Sequence, residues 1–367
     1  MSEFEIFMST APGLETALAD EASERGFVKV VAAAGGVTCR GGWPEVWRAN
    51  LEMRGAARVL VRVGEFRAFH LAQLDKRARK FPWAEVLRPD LAVRVEASCK
   101  GSKIYHAGAA AQRVERAIAE ELGAPIDKAA GIVVKVRIED DLVTISLDAS
   151  GEALHKRGIK LAVGKAPMRE NLAALFLRTC DYKGDEPVVD PMCGSGTFPI
   201  EAAEIAAGMQ PGRARSFAFE HFASYDAGAV AALRRAGPER LPGVRFHGFD
   251  RDQGAVRSAR DNAERAGVGA WVEFACQPVS ALVPPEGPKG LVIANPPYGG
   301  RIGERKLLFG LYGSFGQVLR QRFRGWRVGI VTADAGLAKA MGLPFEAGPP
   351  VAHGGMKVQL FRTGKLG

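Results

Sequence analysis

The sequence predicts an α/β protein: a doubly wound, mostly parallel sheet after about residue 160, preceded by two small α+β units. Three observations carry this. After residue 160, strand-like and helix-like runs alternate one for one, the order that lays helices on both faces of a parallel sheet. Before it, short period-two runs and amphipathic stretches mix without that regularity. The length of 367 residues also exceeds what a single hydrophobic core usually supports.

Taken in order, Glu3–Ser9 reads as a strand and Gly13–Arg25 as a helix, with Gly13 as the turn before it and Gly26 as its stop. Val28–Val31 and Gly36–Arg40 read as strands, Trp43–Leu51 as a helix and Arg58–Glu65 as a strand. Leu91–Ser98 alternates with period two, and Ala107–Leu122 has helical spacing. Gly131–Ile138 and Leu142–Asp148 form a hairpin across Glu139-Asp140-Asp141. In the C-terminal part Pro187–Val189 is the first strand and Phe198–Ala207 its helix. Val244–Phe249 is the second strand, Gln253–Ala266 its helix, and Trp271–Cys276 the third. Leu291–Ala294 and Arg327–Val331 are the fourth and fifth. There is no internal repeat and no low-complexity segment. Loops at the carboxyl ends of such strands make the binding crevice of an open α/β sheet.

Composition narrows the class. No stretch approaches the ~18 consecutive apolar residues of a membrane span, and Met1-Ser2-Glu3-Phe4-Glu5 lacks the basic start of a secretory signal, so a cytoplasmic protein is expected. Five widely spaced cysteines without a Cys-x-x-Cys pair point to reduced thiols and to no metal site. The net charge is +9, and its placement matters more than its size. Residues 1–50 carry 4 Lys+Arg against 7 Asp+Glu, residues 51–100 carry 11 against 6, and residues 301–367 carry 11 against 3. Two basic blocks suit a polyanionic partner, because clustered cations gain affinity by releasing phosphate counterions, although a solvated surface would also allow them.

The segment Val188-Val189-Asp190-Pro191-Met192-Cys193-Gly194-Ser195-Gly196-Thr197 runs from a strand through a glycine loop into a helix. Gly194 and Gly196 let the backbone approach a ligand closely, near helix amides that favour a carboxylate or phosphate. Dinucleotide binding would need a third glycine where Pro199 stands, and a P-loop would need Gly-Lys-Ser/Thr. The loop instead suits the amino-acid part of S-adenosylmethionine, with Asp190 bonding to its ammonium directly or through water. Pro191, Cys193, Gly194, Ser195, Gly196 and Thr197 complete that part of the cofactor site. Asp250, beside Arg251 at the end of the second strand, can accept both ribose hydroxyls. Asp252 is the alternative acid there, or simply an N-cap.

Asn295-Pro296-Pro297-Tyr298, directly after Leu291–Ala294, carries the chemistry. A nucleobase amine is a poor nucleophile because its lone pair is delocalised into the ring. Two acceptors, the Asn295 side-chain oxygen and the Pro296 carbonyl, can bind its two hydrogens and draw nitrogen towards tetrahedral geometry as a methyl arrives. Prolines lack an amide hydrogen and have fixed φ, which stiffens the loop, and Tyr298 can stack on an extruded base. A sulfonium leaving group is already activated, so neither metal nor strong base is called for. Cys193 reads as a small packing residue rather than a nucleophile, since the 295–298 loop holds no cysteine.

With these residues in view the chain resembles the THUMP-containing class I RNA methyltransferases that modify guanine N2. The likeness covers nearly the whole length. It includes Ala11-Pro12-Gly13-Leu14-Glu15, the run from Ala49 to Leu60, Asp148-Ala149-Ser150-Gly151-Glu152-Ala153-Leu154-His155-Lys156-Arg157-Gly158, and Ala166-Pro167-Met168-Arg169-Glu170-Asn171-Leu172-Ala173-Ala174. The likeness is greatest to bacterial enzymes that make N2-methylguanosine in large-subunit ribosomal RNA. It implies a ferredoxin-like domain at residues 1–60, an RNA-docking THUMP domain at 61–155 and a Rossmann-like class I catalytic domain at 160–367. It further implies that Lys100, Lys103, His155, Lys156 and Arg157 face RNA phosphates and that Arg301 sits near the target strand.

Two departures stand out. Ala275-Cys276-Gln277-Pro278-Val279-Ser280 places proline where many such enzymes carry an acid for the adenine amino group, so adenine recognition falls to the Pro278 backbone or to Ser280. The chain also ends at Gly367 without the second methyltransferase domain of the fused enzymes, so a single modification is expected. Asn-Pro-Pro-Tyr also serves DNA adenine-N6 and protein glutamine-N5 methylation, which leave the N-terminal half unexplained. A tRNA guanine-N2 methyltransferase is the nearer alternative, and a non-catalytic RNA-binding protein is the third.

Overall fold

The computed structural model describes residues 3–159, 168–299 and 305–367. The chain divides into two compact units, one of residues 1–10, 19–154 and 215–234, the other of residues 11–18, 155–214 and 235–367.

The first unit is built on a seven-stranded sheet. Its strands are β1 (Phe4–Ser9), β2 (Val28–Ala33), β3 (Gly36–Gly41), β4 (Arg58–Arg67), β5 (Val93–Lys100), β6 (Ile132–Glu139) and β7 (Leu142–Asp148), in the order β2-β3-β1-β4-β7-β6-β5. With α1 (Glu15–Glu24) and α2 (Trp43–Glu52), β1 to β4 follow the βαββαβ order of a ferredoxin-like fold. Alternation explains the strands: Ile6 and Met8 of β1 and Val59 and Val61 of β4 are buried, while the residues between them are not. β4 runs through residue 60 and pairs antiparallel with both β1 and β7. The hairpin of β6 and β7 turns on Asp140 and Asp141, whose φ values of 50° and 62° are those of a tight two-residue turn.

Two stretches of the family likeness meet inside this unit. Asn50 on α2 is buried, donates to the Val46 carbonyl at 2.9 Å and accepts from the Ser150 hydroxyl at 2.7 Å. That hydroxyl in turn accepts from the Val59 amide at 2.8 Å. Alongside, Arg58 pairs with buried Asp148 at 2.6 Å. Residues a hundred positions apart are thus joined by a polar chain in which each buried donor and acceptor is matched.

In the second unit the sheet consists of β8 (Val188–Asp190), β9 (Phe246–Asp250), β10 (Val272–Cys276), β11 (Leu291–Ala294), β12 (Arg327–Thr332), β13 (Glu346–Ala347), β14 (Val351–His353) and β15 (Met356–Arg362). The order is β10-β9-β8-β11-β12-β15-β13, with β14 on β15. Strands β8 to β12 are parallel and β15 is antiparallel to β12, so the doubly wound sheet is mixed at one edge. From β8 the chain builds outward through β9 and β10, then returns to place β11 on the other side of β8. The crevice for a ligand opens where the strand order reverses. Helices α5 (Glu170–Thr179), α6 (Thr197–Ala206), α8 (Gln253–Ala266), α9 (Arg305–Arg322) and α10 (Ala335–Ala340) belong here, and α7 (Ala227–Leu233) belongs to the first unit.

Several elements depart from the sequence reading for identifiable reasons. Helix α3 (Leu71–Arg79) has only Leu74 and Ala78 buried, too thin an apolar stripe to stand out among its cations. In α5 every residue from Asn171 to Leu177 is buried, so its apolar residues form one short continuous run that periodicity does not distinguish from a buried strand. The β14–β15 hairpin had a legible cue, Gly354-Gly355, at φ 57° and 82°. Residues 215–234 follow α6 in sequence yet group with the first unit, where Arg215 donates to the carbonyls of Ala153 and Glu152 at 2.9 and 2.8 Å.

Replacing Asn50 by Ala leaves the Ser150 hydroxyl without its acceptor in the interior and opens a small void. Urea unfolding followed by circular dichroism should show a loss of about 2–3 kcal/mol. Ser150→Ala should cost a similar amount, and the double variant less than the sum. An unchanged midpoint in Asn50→Ala would remove the network from the account of stability.

Candidate active site

The carboxyl ends of three neighbouring strands, β9, β8 and β11, carry Asp250, Asp190 and Asn295. Their heights along the sheet follow from the register. Asp190 is level with Gly248, and Val189 is level with Val292, so both Asp250 and Asn295 stand two residues beyond Asp190. That is about 6.6 Å further along the strand direction. The result is a crevice with Asp190 at its floor and the other two side chains on its walls.

The glycine loop lies on this edge. Gly194 and Gly196 have φ of 52° and 82°, values that disfavour side chains. A Cβ on Gly196 would come within 3.0 Å of the Phe274 ring and the Ala259 methyl, whereas one on Gly194 would meet nothing within 4 Å. Gly196 is therefore glycine for packing, and Gly194 faces open space where a ligand can approach the backbone. The Gly194 amide donates to Asp250 Oδ2 at 3.0 Å, the Cys193 amide to the Phe249 carbonyl at 2.9 Å, and Asn262 Nδ2 to the Ser195 carbonyl at 3.0 Å. The second oxygen of Asp250 accepts the Asp252 amide at 2.9 Å, and Asp252 caps α8 through the Gly254 amide.

Asp190 is 2% exposed and accepts the Met192 amide at 3.0 Å. Burial pushes its carboxyl well above the usual range, the Met192 hydrogen bond pulls it back, and the charge of Asp250 raises it again. A buried acid whose carboxyl is raised further by a second acid fits a ligand that brings its own positive charge. S-adenosylmethionine does so through its ammonium and its sulfonium. The Cys193 thiol is likewise raised well above its ordinary value by burial and by both acids, which keeps it neutral and non-nucleophilic.

At Asn295 the side-chain oxygen is shielded from solvent and has no hydrogen-bond partner among the described residues. A buried acceptor left open costs free energy unless a ligand fills it. Pro296 is buried, and Tyr298 is half-buried, packed against the apolar cluster of β11, β12 and α9. The Pro297 carbonyl accepts from the hydroxyl of Tyr312 on α9 at 3.4 Å. Tyr312 carries no motif, and its only sequence signal is a phenol at a core position of a helix that otherwise buries Phe315, Val318 and Leu319.

Other expected site residues fall as follows. Ser195 and Thr197 have buried side chains, and the Thr197 hydroxyl donates to the Met168 carbonyl at 3.4 Å, so they can offer a ligand backbone rather than hydroxyls. Pro191 is buried beside Asp190. Arg251 is exposed, with its carbonyl near Cys276 Sγ at 3.5 Å. Ser280 is exposed on a short helical turn, its carbonyl accepting from Arg322 at 3.1 Å. Lys100 is exposed and pairs with Glu139 at 3.1 Å, and Lys103 is exposed with its ammonium 4.9 Å from the centre of the Phe69 ring. Lys156 is exposed and His155 half-buried. Arg157 corrects the expectation of a phosphate contact: it is 4% exposed and pairs at 3.3 Å with Glu201, itself 2% exposed, behind the glycine loop. Burying an arginine demands such a partner. Arg301 lies outside the described residues.

Among the described residues there is no group of three or more His, Cys, Asp or Glu that could hold a metal, and no helix long and apolar enough to cross a membrane.

Comparison with known proteins decides the family. Residues 157–347 match the RMKL-like methyltransferase domain, and residues 5–60 match the RlmL ferredoxin-like domain. The chain belongs to the RMKL-like methyltransferase family. It is 36% identical over 360 residues to the ribosomal RNA large subunit methyltransferase K/L of Syntrophotalea carbinolica, which covers 92% of this chain and 50% of that protein. The chain thus spans about half the length of that relative. A protein of Synechocystis sp., provisionally named an RNA methyltransferase, is 30% identical over 97% of this chain and 95% of its own length. The solved structure of SMU.472, provisionally named a methyltransferase and complexed with S-adenosylhomocysteine, superposes with a TM-score of 0.87 at 27% identity over 100% of this chain and 99% of its own.

The raised carboxyl of Asp190 sets the direction of a pH effect. A bound ammonium favours the carboxylate, so binding must displace the proton, and S-adenosylhomocysteine affinity should rise with pH through the raised range of Asp190. Asp190→Asn should weaken binding about tenfold or more and flatten that dependence. Calorimetric titration across pH tests both. Equal slopes in the two proteins would remove Asp190 from ammonium recognition.

Proposed function

We propose that this chain transfers a methyl group from S-adenosylmethionine to the exocyclic N2 of a guanine in large-subunit ribosomal RNA. The observation that carries the reading is the shielded oxygen of Asn295, unmatched among the described residues, beside Pro296 and on the wall of a crevice whose floor is acidic.

Bound S-adenosylmethionine supplies an electrophilic methyl on a positively charged sulfur. The acids position it: Asp190 holds the ammonium, and Asp250 takes the ribose hydroxyls with the lone pairs not used by Gly194 and Asp252. Asn295 Oδ1 and the Pro296 carbonyl accept the two N2 hydrogens, which draws the nitrogen towards tetrahedral geometry and localises its lone pair for attack on the methyl. Positive charge then develops on N2 next to two oriented dipoles in a shielded place, where they stabilise it without having to reorganise. As the N–C bond forms, the S–C bond breaks with its electrons on sulfur, and N2 releases its extra proton to water. Tyr298 stacks on the guanine, which must leave its helix to reach the crevice.

Docking of the RNA is assigned to the N-terminal half, whose residues 61–155 are read as a THUMP domain, and to Lys100, Lys103, His155 and Lys156. The basic blocks of the sequence support this, and Arg301 extends the second of them. Arg157 is omitted because its charge is spent on Glu201.

The deciding experiment is nucleoside mass spectrometry of separately purified ribosomal and transfer RNA from a deletion strain and its parent. Loss of N2-methylguanosine from large-subunit rRNA alone is expected. Loss from tRNA alone would move the substrate to tRNA, and unchanged levels in both pools would refute guanine-N2 methylation of RNA. With purified protein, Asn295→Ala should lower kcat at least about a hundredfold while cofactor and RNA affinities stay within about threefold. Retained turnover in that variant would discard the role given to Asn295.

A further inference from the structure

Pro296 and Pro297 have no amide hydrogen, so the middle of the Asn295–Tyr298 loop cannot be held by its own donors. Anything that fixes it there must donate to a carbonyl from outside. Tyr312 is the residue that does so: its side chain is fully buried, and its hydroxyl reaches the Pro297 carbonyl at 3.4 Å. Thr332, fully buried at the end of β12, is the side-chain hydroxyl neighbouring the same phenol. Thr332 Oγ1 in turn accepts the Asp334 amide at 3.2 Å. Donors and acceptors order themselves along this chain. The Asp334 N–H donates to Thr332, which leaves the Thr332 O–H to turn towards the phenol, and the Tyr312 O–H donates to the Pro297 carbonyl.

We propose that Tyr312, backed by Thr332, is a positioning residue that holds the Pro296–Pro297 segment so that Asn295 Oδ1 and the Pro296 carbonyl face the amine together; this rests on the catalytic reading of that loop. The 3.4 Å distance is long for an O–H···O bond, and catalytic contacts of this kind commonly shorten once substrate is bound. Burial pushes the phenol above its ordinary range, so it remains a neutral donor at working pH. The ring itself packs in the apolar cluster with Val292, Ala294, Phe315 and Leu319, a role that phenylalanine also fills. The hydroxyl is therefore separable from the packing.

The test is Tyr312→Phe in methyl transfer from labelled S-adenosylmethionine to RNA. The expected result is a fall in kcat of about tenfold. KM for RNA and the dissociation constant for S-adenosylhomocysteine should stay within about twofold. Thr332→Val should lower kcat in the same way but less, and Thr332→Ser should restore it. Unaltered kcat in Tyr312→Phe overturns the proposal, as does a fall in kcat matched by an equal loss of cofactor affinity, the mark of general loosening. Should Tyr312→Phe fail to fold, the Thr332 pair decides: kcat that follows the hydroxyl supports the proposal, and kcat indifferent to it overturns it. Rates are counted as methyl groups transferred whatever nucleoside results. Failure of the guanine-N2 assignment therefore appears in the product of the unaltered chain, and failure of the Tyr312 role in the ratio of rates.

Discussion

The Asp250 carboxylate on the Gly194 amide is the contact on which the catalytic unit is organised. One acid at the end of β9 reaches across to the loop after β8, and its other oxygen holds the Asp252 amide at the start of α8. Two turns that emerge from neighbouring strands are thereby locked to one another. The glycines in the loop need this, because their left-handed conformations are supported by no side chain of their own.

Two asparagines show how the protein separates stability from chemistry. Asn50 is buried with both ends of its amide matched, one to Val46 and one to Ser150, and it stabilises by satisfying groups that would otherwise be stranded. Asn295 is shielded with its oxygen unmatched among the described residues. An open acceptor of that kind is a defect in a core and an asset in an active site, since the missing donor is what the ligand supplies. Around it the chain has used prolines, which cannot compete for the oxygen, and has left the fixing of the loop to a tyrosine from a different helix.

Charge is divided in a similar way. Lys100, Lys103 and Lys156 stand exposed at the surface, whereas Arg157, next to Lys156 in the chain, is turned inward against Glu201. Nothing in the local sequence separates Arg157 from Lys156. The difference arises because the helix behind the glycine loop presents a buried carboxylate that must be neutralised, and an arginine can satisfy it through several donors at once.

The strands, the glycine loop, the Asn-Pro-Pro-Tyr loop and the need for a cationic cofactor were legible in the chain, because each depends on residues within a few positions of one another. Period-two alternation marked β1 and β4, and the order strand, glycines, helix marked the loop after β8 irrespective of what packs around it. Tertiary structure decided what lies between such segments. Strand order alone set β11 beside β8 and so brought Asn295 to Asp190, and it added an antiparallel edge that helix–strand alternation did not announce. Burial alone enclosed α5 from Asn171 to Leu177, closed the Thr197 side chain off from solvent, and chose Tyr312 as the donor to Pro297. Adjacency and burial join residues tens to hundreds of positions apart, and a local pattern holds no record of which distant partner will be there.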